Sequence, residues 1–184
     1  YRVRKEPHPI FNRYNLNFIP FQHEDINKWR NSLSGGISYH DNDTNLILQG
    51  GIDDVWFNLD TNQIVVADYK AQSTKINPEK NYYLNGTYHQ SYKMQMDIYV
   101  YILRKMGFDV ADTSYFMVCN GEKTGDRFDA TMNFTITLID YDTNTTWIPK
   151  KITKMKSVLD SNILPDRNPN CENCAYLEQG AKLI

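Results

Sequence analysis

The sequence is short of several things, and each shortage closes off a class of protein. It has no run approaching the roughly 18 consecutive apolar residues of a membrane-spanning helix. Its first residues, YRVRKEPHPIF, lack the apolar centre of a secretory signal. A soluble, cytoplasmic protein with no membrane partner is expected. Three cysteines among 184 residues are too few, and odd in number, for a secreted disulfide framework. Neither sign of charge dominates: 20 Lys and Arg against 22 Asp and Glu leave a net charge of −2. A nucleic-acid partner would therefore have to be held by a local patch or through bound metal ions. No internal repeat is visible, and the length suits one domain with an ample core. Because the first residue is Tyr1 rather than Met, the chain reads as a piece of a longer protein, with room for further domains or protein partners outside it.

What is present is an alternation of strand and helix patterns. Residues 1–44 read as a lead-in segment with one short helix in HEDINKWRNSL, whose acidic start and later Lys28 and Arg30 suit the helix dipole. NLILQGGIDDVWFN reads as one strand, LDTN as a turn and QIVVADYK as a second strand, together a β-hairpin. KINPEKN is a breaker-rich loop. From about Leu84 to Met106 the periodicity is helical and stops at Gly107, a natural C-cap. TSYFMVCN and FDATMNFTITLIDYD read as strands with GEKTGD between them, and TTWIPKKITKMKSVLDS as a helix with a basic face. The order predicts an α/β fold with a mixed central β-sheet flanked by helices, its core over 45–161 and a loop-like, cysteine-bearing tail over 162–184.

The chemistry concentrates in the hairpin. In GGIDDVWFN two adjacent carboxylates, Asp53 and Asp54, stand in a run of strand formers with apolar residues of both parities, where a charge needs compensation. Asp68 and Lys70, two apart on the next strand, project from one face while Tyr69 points the other way. They emerge at the end of an apolar run, Ile64 to Ala67, a common place for a site in open α/β sheets. Two carboxylates held close together repel unless a divalent cation lies between them, and hard oxygen ligands suit Mg²⁺ or Mn²⁺. On the long helix Gln95 and Tyr99 share a face, with Tyr92 one turn earlier.

Gly50-Gly51-Ile52-Asp53, then Asp68-Tyr69-Lys70, then Gln95-Met96-Asp97-Ile98-Tyr99 resemble the PD-(D/E)xK nuclease superfamily, and within it the RecB-like exonuclease branch. The resemblance spans about Asn45 to Tyr101. It implies a restriction-endonuclease-like core forming a single domain over 1–184. It further implies a metal held by Asp53, Asp68 and the Tyr69 backbone carbonyl, with Lys70 assisting the attacking water. Asp53, Asp68 and Lys70 are then the catalytic residues, with Gln95 and Tyr99 supporting them. Asp54 also fits the G-x-x-D spacing when counted from Gly51. Asp53 is preferred because Val55 supplies the apolar residue two positions on, where Asp54 would have Trp56.

Related nucleases often carry an upstream His or Glu ligand, for which His23 or Glu24 is best placed; a solvated helix N-terminus explains the same residues. Cys171 and Cys174 resemble the cysteine end of iron–sulfur relatives. Those use four cysteines, so a complete cluster is not expected, while a remnant pair or a shared zinc site stays open. The expected activity is Mg²⁺- or Mn²⁺-dependent hydrolysis of DNA, or of RNA, in repair, recombination or defence. The alternatives are a non-catalytic nucleic-acid-binding module on the same fold, or an interaction domain in which these charges merely pair.

Overall fold

The computed structural model describes residues 1–123 and 131–182. The chain divides into two compact units, Tyr1–Ile148 and Pro149–Ile184. The first holds α1 (Pro9–Arg13), β1 (Phe18–Pro20), α2 (Ile26–Trp29), β2 (Ile37–Asp41), β3 (Leu46–Gly50), β4 (Asp54–Asn58) and β5 (Gln63–Gln72). It continues through α3 (Lys80–Asn85), α4 (His89–Lys105), β6 (Thr113–Gly121) and β7 (Phe134–Asp142). The second holds α5 (Ile148–Leu159) from Pro149 onward, and α6 (Glu172–Ala181). Among the described residues no helix is long and apolar enough to cross a membrane.

Five strands form the main sheet in the order β1-β4-β5-β6-β7. All neighbours run antiparallel except β5 and β6, so the sheet is mixed, as the strand and helix order predicts. The central strand β5 is covered on both sides, which is why Ile64 to Ala67 is an unbroken apolar run. Alternate residues serve two different cores. Ile64 and Val66 pack with Val55, Phe116 and Val118 beneath Met96, Val100 and Leu103 of α4. Val65 and Ala67 pack with Trp56 and Leu138 against Ile10, Phe11 and Phe18. At roughly 1.5–3 kcal/mol for each fully buried large side chain, these two layers dominate the driving force for folding.

Several boundaries differ from those expected. The run 45–58 is two strands, because β3 leaves the main sheet to pair with β2 while β4 stays in it. Gly50 and Gly51 sit at the change of direction. A Cβ on Gly50 would meet Tyr99 Cε1 at 2.6 Å, and one on Gly51 would meet Ser32 Cα at 2.6 Å. Two close approaches therefore require glycine there. The lead-in segment is part of the core: Ile10, Phe11, Phe18, Trp29 and Ile37 are all buried, and β1 forms a sheet edge on which Pro20 is tolerated. The long helix begins at His89, with α3 a separate helix ending before Gly86. It stops as expected, with Gly107 at φ 94°. The tail is not all loop, since α6 follows directly on Cys171. Of the expected strand FDATMNFTITLIDYD, β7 begins at Phe134; its residues 128–130, and the second half of GEKTGD, lie outside the described residues.

Candidate active site

The alternation that builds the two cores also sorts the carboxylates. Asp54 shares parity with Trp56, and its side chain joins the face bearing α1. There it is buried, accepting the Trp56 indole N–H at 3.2 Å, the Tyr69 hydroxyl at 2.6 Å and its neighbour Val55 N–H at 2.9 Å. Its charge is matched by Arg2, whose guanidinium also donates to the Phe21 and Val55 carbonyls at 2.6 and 2.5 Å. Burial next to the Asp54 carboxylate pushes the Tyr69 phenol far above its ordinary value, so it stays a donor. Asp54 is thus compensated by the protein alone.

Asp53 stands one residue before β4. Its Oδ2 accepts the Tyr69 backbone N–H at 2.7 Å, continuing the β4–β5 ladder beyond its last backbone pair, Asp54 with Ala67. Within a strand the N–H and C=O of one residue leave on the same side. The Tyr69 carbonyl therefore also faces the Asp53 side of β5.

Asp68 is 2 % exposed. Its Oδ2 lies 2.6 Å from Lys70 Nζ, but out of line for a hydrogen bond, so this buried oxygen has a charge partner and no aligned donor. Burial holds the carboxyl above the usual carboxylate range; Lys70 pulls it back, and the charge of Asp53 pushes the same way as burial. Lys70 is held from the other side by α4. It donates to Gln95 Oε1 at 3.1 Å and sits 4.4 Å above the Tyr92 ring, while Gln95 Nε2 donates to the Tyr99 hydroxyl at 2.7 Å. The structure thus brings Asp53, Asp68, Lys70, Gln95 and Tyr99 to one end of β5.

His23, the candidate upstream ligand, packs among aromatic rings. Its ring stacks on Trp29 at 4.4 Å between centroids and meets Phe108 edge-on at 5.5 Å, while Nδ1 accepts the Asp25 N–H. Phe108 follows the C-terminal end of α4, whereas Gln95 lies in its first half. Aromatic packing claims this histidine, and Glu24 is exposed.

Five neighbours of the site carry no sequence motif. An open cleft of about 600 Å³ beside Asp53 and Tyr69 is bordered by Asn27, Arg30, Asn31 and Ser32. Arg30 Nε donates to the Asp53 carbonyl at 2.6 Å. Tyr83 of α3 has a buried hydroxyl with no hydrogen-bond partner, and burial, with Tyr92 and Asp68 nearby, raises it well above the usual phenol range. The only signal for Arg30 is a basic residue late in a short helix. Tyr83 lies in the segment between the predicted loop and helix, where no pattern marks it.

The donor set suits a hard cation. Asp53 and Asp68 offer carboxylate oxygens, one of them buried and undersatisfied, and the Tyr69 carbonyl faces the same side. Among the described residues no group of three or more His, Cys, Asp or Glu side chains is gathered for an ion. An ion here would complete its shell with backbone, water or substrate oxygen, the habit of Mg²⁺.

Comparison with curated protein sequences finds no significant match. The family model of the PD-(D/E)XK nuclease superfamily matches residues 4–179. Matched across nearly its whole length, and folded as a mixed sheet flanked by helices, the chain belongs to the PD-(D/E)XK nuclease superfamily.

Proposed function

We propose that this chain is a Mg²⁺- or Mn²⁺-dependent deoxyribonuclease of the RecB-like exonuclease branch, acting in the cytoplasm on DNA in repair, recombination or defence. Membership of the superfamily implies a metal-dependent nuclease with a nucleic-acid substrate. The observation that carries the finer reading is the buried Asp68 oxygen without an aligned donor, beside Asp53 and Lys70 at one strand end. Asp53, Asp68 and the Tyr69 carbonyl are the ligands in this reading. The divalent ion, when bound, would polarise the scissile phosphate and lower the pKa of a water.

The protein's own groups supply the rest. Lys70, steadied by Gln95 and by the Tyr92 ring, orients the attacking water or takes its proton. Tyr99 anchors Gln95 and closes over Gly50, which limits the swing of that support. Arg30 ties the Asp53 backbone to the cleft wall and brings positive charge to a surface where a phosphate chain can lie.

End-labelled single- and double-stranded DNA incubated with the purified chain should be shortened with Mg²⁺ or Mn²⁺ and left intact in chelator. One observation favours a second reading: Lys70 already neutralises Asp68 without any ion, as a non-catalytic nucleic-acid-binding module would allow. DNA and RNA left intact with either metal, together with no Mn²⁺ uptake by calorimetry, would overturn the nuclease and favour that module.

A further inference from the structure

From Lys70 an unbroken file of rings runs through Tyr92 and His89 to the buried Tyr83. Lys70 Nζ lies 4.4 Å over Tyr92, Tyr92 stacks on His89 at 5.3 Å, and His89 stacks on Tyr83 at 4.1 Å. The file is locked, since His89 Nδ1 donates to the Tyr83 carbonyl at 2.5 Å and a Cβ on Gly86 would strike the His89 ring at 2.7 Å. It ends at two hollows that share Tyr82 and His89 as walls. One, of about 480 Å³, also takes Thr74, Lys75, Pro78 and Tyr83; the other, of about 530 Å³, takes Asn81, Asn85 and Tyr88. Both fall within the roughly 300–1,000 Å³ of ligand-holding pockets.

Tyr82, standing between the hollows, is 81 % exposed, and Tyr88 is 86 % exposed. Neither hydroxyl nor ring of these two tyrosines packs into either core. Flat rings held out at a helix corner match what unpaired bases need, a π-face for each base, and Lys75 offers the backbone a cation, although Glu79 lines the same hollow. A duplex cannot use them, because its bases already stack on one another. The protein's net charge of −2 offers no general attraction to a polyanion, so affinity must come from such local contacts.

We propose that the α3–α4 corner is a stacking track for single-stranded DNA, with consecutive bases on either side of Tyr82 and the strand leading toward Asp68 and Lys70. The identity of the occupant rests on the nuclease reading, and the site is separate from the residues assigned to cleavage. It makes unpaired strand, rather than duplex, the form that enters the site.

The test is binding of the full chain to a fluorescein-labelled ten-nucleotide single strand and to its duplex, read by anisotropy in chelator so that nothing is cut. Wild-type protein should prefer the single strand. Tyr82→Ala should weaken that binding roughly 5- to 150-fold, the range for losing one stacked base, with duplex binding little changed. Tyr82→Phe, which keeps the ring, should bind as the wild type does. Tyr82 is exposed and its truncation removes no core contact, and circular dichroism checks the fold. Single-strand affinity unchanged in Tyr82→Ala, or a wild type that prefers duplex, overturns the track. The two readings part cleanly. Binding lost in Tyr82→Ala while the wild type cuts nothing with any metal upholds the track and removes the nuclease; a cutting wild type with intact binding in Tyr82→Ala does the reverse.

Discussion

Asp68 and Lys70 are in contact, yet their substitutions should diverge. Asp68 is raised mainly by burial, with Lys70 opposing and Asp53 adding to it. A carboxyl raised on folding contributes stability that is fully present below its unfolded value and is lost as pH rises through the folded one. Near neutral pH the metal-free fold therefore carries a burden that Asp68→Asn removes. Scanning calorimetry in chelator should show a higher Tm for Asp68→Asn at about pH 7 and no difference at about pH 3, where the carboxyl is protonated folded or unfolded. The same variant should lose Mn²⁺ affinity and cleavage together. Lys70→Ala should keep Mn²⁺ affinity or gain some, since a competing charge is gone, while cleavage falls by about 10²- to 10⁴-fold. Equal Mn²⁺ affinity in all three proteins would mean the ion binds elsewhere. At this scale the sequence was informative wherever parity governs. Asp53 with Val55, and Asp54 with Trp56, belong to opposite faces, and that could be read from the strand alone. That Arg2 pairs with Asp54, or that Phe108 meets His23, depends on contacts between segments far apart in the chain.

The β4–β5 hairpin and the end of α4 were legible because each is a local pattern, two short apolar runs either side of LDTN and a period of 3.6 stopped by Gly107. The break between β3 and β4 was not, since Gly50 and Gly51 interrupt the strand pattern for reasons that lie on Tyr99 and Ser32. Nor was the membership of β1 in the sheet, three residues whose only ladder partner among the described residues is β4. Gly51 offers a test of this joint. A methyl group there meets Ser32 backbone atoms, N among them at 2.9 Å, which cannot rotate away. Gly51→Ala should lower stability by roughly 1–3 kcal/mol in urea melts. Because the turn at Ser32 follows Arg30 and its bond to the Asp53 carbonyl, kcat/KM should also fall, about tenfold or more. Wild-type stability and activity in that variant would show the approach to be looser than drawn.

Across the whole molecule the family match runs from the first unit into the second and takes in both tail cysteines. Cys171 Sγ accepts the Cys174 N–H at 3.4 Å, a capping role for α6. With Cys119 the only other cysteine in the sequence, four thiolates cannot come from this chain. The purified protein should therefore be colourless, and stoichiometric iron by elemental analysis with absorbance near the blue end of the visible range would contradict this. The central strand has a last consequence, in time rather than space. β5 meets β4 across the four-residue turn Leu59 to Asn62, but meets β6 only after α3 and α4 have been laid down. Hairpins close in about 1–10 μs, whereas a parallel pairing must first close a long loop. Asp53 and Asp68 thus come together early in refolding, and Lys70 gains Gln95 late. Asn62, at φ 58°, sets that turn, so Asn62→Ala should slow refolding in stopped-flow experiments while leaving the unfolding rate nearly untouched. In such a chain Lys70 waits for its Gln95 support, and the Ile64 and Val66 row stays bare for the same interval, open to association with other unfolded chains.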